Sequence, residues 1–128
     1  MRNLVFVFIG ILLLAAAATT AFGTWRWVQR SVVAQGHVAR LNAGGSHPEI
    51  EFTTASGHKV SYPQGGLVWG WQVGDTVPVR YDPSAPDLDP CIDRFAAIWT
   101  VPLGLLLAGL VTISSLLAAR YGWLVKVD

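Results

Sequence analysis

The residues able to do chemistry in this chain are few, and their spacing assembles no familiar site. Three histidines, His37, His47 and His58, share one stretch with Glu49 and Glu51. Imidazole and carboxylate can ligate a metal or move a proton. Known metal sites, however, place their ligands at short fixed intervals, such as i and i+4 on a helix or a close pair at a turn. These histidines are ten and eleven residues apart, so only strands that happened to align them would bring them together. The plain reading is turn and surface histidines; a small metalloenzyme or sensor built on them is the alternative. Asp82, Asp87, Asp89 and Asp93 cluster further on, but a calcium loop needs a glycine at its centre that is missing here. Turn starts and a helix cap suit them better. Ser56 and Ser61 stand in no motif that would activate a nucleophile. Gly65, Gly66, Gly70 and Gly74 are not followed by the helix a phosphate-binding loop requires. Cys91 is the single cysteine, which excludes an internal disulfide and a cysteine-rich metal site. The expectation is a protein that is not an enzyme, with no cofactor and no metal.

Composition narrows the class. Hydrophobic residues make up 52% of the 128 residues and charged ones 13%, about half the charged share of a soluble domain. Net charge is +1, so no broad basic surface argues for nucleic acid. The length suits one domain with its anchors.

The apolar residues concentrate in two runs. Leu4 to Trp25 and Phe95 to Ala119 hold no ionisable residue, and roughly 20 apolar residues suffice for a helix to cross a hydrocarbon core of about 30 Å. Arg2, Trp25, Arg26, Trp27 and Arg30 flank the first; Arg94, Trp99, Arg120, Tyr121 and Trp123 flank the second. Trp, Tyr and Arg favour such interfacial positions. The expected organisation is a transmembrane helix over 1–25, a β domain over 31–86, an interfacial start and second transmembrane helix over 90–120, and a short tail over 121–128. Asp89 followed by Pro90 reads as a helix N-cap and first turn, with a bend at Pro102. A cleaved signal peptide is the rival reading of the first run, although the run outlasts the usual apolar region of such peptides. Gly104, Ala108 and Thr112 recur every fourth residue, and Gly10, Ala17 and Ala21 lie near one face. Small faces let helices approach closely, here to pack the two spans or to join neighbouring chains. Ser and Thr bonded to their own helix are the alternative. The spans carry no charge, which weakens a transporter or channel reading.

Between the runs the period changes from helical to alternating. Ile50 and Phe52 alternate with Glu49, Glu51 and Thr53; Val60 and Tyr62 alternate with Lys59 and Ser61. The turn ASGH at 55–58 joins them into a hairpin. Val32 to Leu41 reads as a strand interrupted at Gly36. Thr76 to Tyr81 reads as an edge strand on account of Pro78. Four or five short strands predict a small antiparallel barrel of SH3 or OB type. Trp69 and Trp71, with Leu67, form an apolar stripe that points to one side if the segment is extended. It either closes the core or contacts a partner or the membrane.

The segments VVAQGHVARL (32–41), PEIEFTTASGHKVSY (48–62) and VGDTVPVRYDPSAP (73–86), followed by a tryptophan-containing span from Phe95, resemble the bacterial membrane family catalogued as domain-of-unknown-function family 3592. The resemblance implies a membrane location and a small β domain, and supplies no catalytic residues. The expected function is therefore a membrane-anchored interaction module in the cell membrane, with the lipid bilayer and a protein partner or a second copy as its contacts. A structural subunit of a membrane complex is a further alternative. Basic residues near the span ends lean toward a cytoplasmic domain and the signal-like N-terminus leans the other way, so the side of the β domain stays open.

Overall fold

The structure, a computed structural model, describes residues 2–42, 44, 47–66 and 68–124. Its elements run α1 (Arg2–Arg30), β1 (Val32–Asn42), β2 (His47–Thr53), β3 (Lys59–Pro63), β4 (Thr76–Tyr81), β5 (Cys91–Ile92), α2 (Phe95–Ile98) and α3 (Thr100–Leu124). Two compact units result, one of residues up to Phe22 with those from Val101 onward, the other Gly23–Thr100.

In the helical unit, α1 and α3 are each long and apolar enough to cross a membrane. Leu4, Phe8, Leu107 and Leu117 stand exposed along them. The helices meet at two glycines. A Cβ built on Gly10 would lie 2.8 Å from the Ile113 side chain, and one on Gly109 would lie 2.7 Å from that of Leu14. Of the small residues singled out by spacing, Thr112 joins this contact, its side chain 3.7 Å from a Cβ built on Gly10, while Gly104 and Ala108 are exposed and a Cβ on Gly104 meets nothing within 4 Å. Adjacent residues on an α-helix are about 100° apart. The contact through Gly109 and Thr112 rather than Ala108 therefore lies to one side of the expected stripe, a shift that a repeat of small residues does not distinguish. Thr19, Thr20, Thr112 and Ser115 donate to carbonyls one turn back in their own helices.

The second unit is a curled antiparallel sheet in the order β3-β2-β1-β4-β5. Alternation places it: Ile50, Phe52, Val60, Tyr62, Val77, Val79 and Tyr81 are buried, while their strand neighbours face out or are half-buried. Phe52 packs edge-on to Tyr62 at 6.2 Å and against Tyr81 at 5.2 Å. β1 is central, pairing with β2 on one side and β4 on the other. A Cβ on Gly36 would lie 2.8 Å from the Glu51 carbonyl oxygen and 2.9 Å from Val79, so only glycine fits beneath β2 there. The register slips between Val38 and Arg40, a little past the expected interruption at Gly36.

Two expectations change here. Asp89 caps no helix; it holds a positive φ of 51°, and Cys91–Ile92 instead pairs with β4. The fully buried Ile92 fills the core, a demand that outweighs the local Asp-Pro helix signal. The first helical turn therefore waits until Phe95, and Pro102 falls in the first turn of α3, where an amide would lack a helical partner anyway. The described residues between Gly65 and Val73 form no strand.

The two outer strands, β3 and β5, share no backbone ladder. Gln64 bridges them with its side chain. Its Oε1 accepts from the Ile92 N–H at 2.8 Å and from the Tyr62 hydroxyl at 2.9 Å, and its Nε2 donates to the Gly65 carbonyl at 2.9 Å. Further along the same seam His58 meets Asp87 at 3.0 Å.

Candidate functional site

The exposed side of β1, β2 and β3 forms a polar groove. Cross-strand registry sets His37 opposite Glu51, and Glu51 opposite Ser61; Thr53 pairs with Lys59 on the next rung. With Gln35 these residues line a depression of about 380 Å³. His37 Nε2 lies 3.3 Å from a Glu51 carboxylate oxygen, with both side chains about half exposed. Alternation is the reason for this grouping: every second residue of three neighbouring strands must face water, and these strands spend those positions on groups of both charges. Beside the groove, Glu49 accepts from Asn42 at 3.0 Å and from Ser61 at 2.9 Å.

The histidines do not converge. His37 pairs with Glu51, His58 reaches Asp87 across the seam, and His47 opens β2 with its side chain exposed. Among the described residues no three of His, Cys, Asp and Glu come together where a metal ion could sit. The aspartates also separate. Asp82 directly follows β4, accepting from the Ser84 hydroxyl at 2.6 Å, the Ser84 N–H at 2.9 Å and Arg30 Nε at 2.7 Å. The Ser84 hydroxyl foremost, then the Ser84 N–H and Arg30, hold its carboxyl below the ordinary range. Asp93 pairs with Arg80 at 2.9 Å. Burial pushes the Cys91 thiol up, aided by Asp93 and opposed by Gln64. Burial also raises the Tyr62 phenol. Both groups are thus held neutral beside the seam.

Trp69 and Trp71 part company. Trp69 is 76% exposed, whereas Trp71 packs against the core with the Arg94 guanidinium 4.7 Å above its ring. Gly70 lies between them at φ 81°, which takes the backbone out of the extended conformation and removes the same-side geometry expected of an extended segment. Leu67, the third residue of that stripe, lies outside the described residues. Sequence reasoning overlooked Gln64, Arg30–Asp82 and Arg80–Asp93. A lone glutamine between a strand and a glycine pair carries no motif, and the two ion pairs join residues far apart in the chain.

Comparison with known proteins finds a similarity. A protein of Pseudomonas aeruginosa described as immune protein Tsi4 is 42% identical to this chain over 94 residues, which are 73% of this chain and 65% of that protein. The chain thus spans just under two thirds of that relative's length. The aligned length exceeds Gly23–Thr100, so the likeness reaches into at least one of the long helices. No family model matches the chain, and no solved structure does.

Proposed function

We propose that this chain is a membrane-anchored immunity protein, which protects the cell that makes it by binding a protein toxin through its β domain. The observation that carries the reading is the 42% identity to immune protein Tsi4. α1 and α3 cross the bilayer in this reading. The sheet, with its seam bridged by Gln64, serves as a small barrel of SH3 or OB type. Protection by binding needs shape and charge rather than a catalytic group. The groove of His37, Glu51, Lys59 and Ser61 supplies both: a depression with acidic and basic groups side by side, whose complement on a partner fixes orientation and excludes wrong partners.

The test is a competition between sibling cells grown in contact. Cells of the native host lacking this chain should be outcompeted by their parent and rescued by the chain supplied in trans. Equal survival of the deleted strain would overturn the reading. Glu51→Lys reverses charge at the centre of the groove on an exposed position. It should abolish rescue while leaving the amount of folded protein unchanged; full rescue by that variant would move the binding face elsewhere.

A further inference from the structure

We propose that the segment 68–74 is a second membrane contact, laying Trp69 and Val73 into the headgroup layer of the bilayer beside the start of α3. The proposal rests on the reading of α1 and α3 as membrane-crossing helices. The loop is held firmly rather than left slack. Val68 is inserted in the core and its N–H donates to the Gly66 carbonyl at 3.0 Å. Trp71 is pinned between the core and Arg94. The Gln72 N–H donates to the Asp75 carboxylate at 2.8 Å, and the Gly74 N–H donates to the Val38 carbonyl at 2.8 Å. Between these attachments Gly70 takes a left-handed φ of 81°, and two apolar side chains are turned out, Trp69 at 76% and Val73 at 62% exposed. Anchored feet with an indole held in the open are the build of a contact surface.

Position identifies what covers it. A Cβ on Gly66 would lie 2.9 Å from Thr100 Oγ1, so the loop rests against the first residue of α3. Just before that residue, Phe95 and Trp99 stack at 6.0 Å, and Phe95 is 69% exposed. Arg94 joins the two groups through its contact with Trp71. Loop and helix start thus carry indoles, a phenyl ring and a guanidinium close in the chain to where it passes into its long apolar helix. Indole combines a large apolar body with one N–H donor and is favoured in the headgroup region. A neighbouring arginine suits the phosphate of the same headgroups. The occupant is thus the lipid surface. A protein docked on this loop is the competing outcome.

The experiment uses the full chain with Cys91→Ser as background, reconstituted in vesicles of phosphatidylcholine and phosphatidylglycerol. One variant carries Trp69→Cys. The comparator carries Ser56→Cys, in the exposed turn at the far end of β3 from Gln64. Each is labelled with an environment-sensitive fluorophore and exposed to aqueous iodide and, separately, to lipids spin-labelled near the headgroup. The label at position 69 should be shielded from iodide at least threefold relative to the one at 56, and quenched by the shallow spin label. Equal iodide access at both positions, in protein that resists alkaline extraction from the vesicles, would overturn the loop contact and leave the spanning helices standing. Release of the protein by alkaline extraction would overturn the spanning helices, and the loop contact with them.

Discussion

Replacing Gln64 with leucine should open the seam of the sheet, and the arithmetic is constrained by what Gln64 holds. Its Oε1 is the acceptor for the Ile92 N–H and for the Tyr62 hydroxyl, and Gln64 itself is 5% exposed. Leucine fills similar space and accepts nothing, so two buried donors lose their partner. Each orphan costs about 1–3 kcal/mol, a sum of roughly 2–6 kcal/mol before the gain from an apolar side chain is subtracted. A net loss of about 2–4 kcal/mol is a large part of the roughly 5–15 kcal/mol that stabilises a folded domain. Tyr62→Phe is the informative partner. In the native background it removes one donor while Gln64 keeps the Ile92 N–H, and should cost about 0.5–1.5 kcal/mol. In the Gln64→Leu background it removes an orphan, and should cost nothing or stabilise. That change of sign is a coupling which independent sites do not show. Denaturation of the full chain in detergent, followed by β-sheet circular dichroism, gives the four stabilities; hydrogen exchange at the Ile92 amide gives the local readout. A Gln64→Leu protein within 0.5 kcal/mol of native (the ordinary range for surface changes), with Ile92 still protected, would refute the seam as described.

Three further outcomes follow from particular contacts. Gly36→Ala places a Cβ 2.8 Å from a backbone oxygen that cannot step aside; it should lower stability by about 1–3 kcal/mol, read as a fall in the denaturation midpoint. Asp82 has a depressed folded value, so its contribution is complete above the ordinary carboxylate pKa of about 4 and is lost as pH falls through the lower folded value. Native protein should therefore lose stability below about pH 4 more steeply than Asp82→Asn, and identical acid profiles would deny Asp82 that role. Gly109→Val should weaken the α1–α3 pair, because its Cβ would meet Leu14 at 2.7 Å, while Gly104→Val, with nothing within 4 Å, should be neutral; thermal unfolding in detergent that ranks them the other way would reassign the helix face.

The sequence disclosed what depends on period and missed what depends on distance in the chain. The two long apolar helices and the strands around Ile50, Val60 and Val77 announce themselves by runs and alternation, because burial of one face acts on every second residue. β5 was illegible: two residues have no period, and the Asp89–Pro90 pair in front of them carries a helix-start signal. Ile92 is placed by the core it fills, not by its neighbours in sequence. Trp69 and Trp71 misled for a related reason, since their shared side assumed extended backbone through Gly70. For the candidate site, alternation already placed Glu51, Lys59 and Ser61 on a wet face. The registry that sets His37 opposite Glu51 is a product of the turn and the slip at Val38, which spacing alone does not fix.

The strand order has a consequence for how the protein comes into being on the ribosome. β2 and β3 form a hairpin of adjacent residues and pair with β1 as soon as they emerge, but the other side of β1 waits for β4, and β4 waits for β5. Ile92, the last buried residue of the core, precedes α2 by only a few positions. The sheet therefore cannot be completed until the beginning of the second long helix is about to leave the exit tunnel. Between the completion of β3 at Pro63 and that of β4 at Tyr81 the chain is a tethered three-stranded half whose β1 edge is still unpaired. Closing the sheet and delivering α3 toward its destination are nearly simultaneous events, so any delay in one exposes the unfinished edge of the other to neighbouring nascent chains.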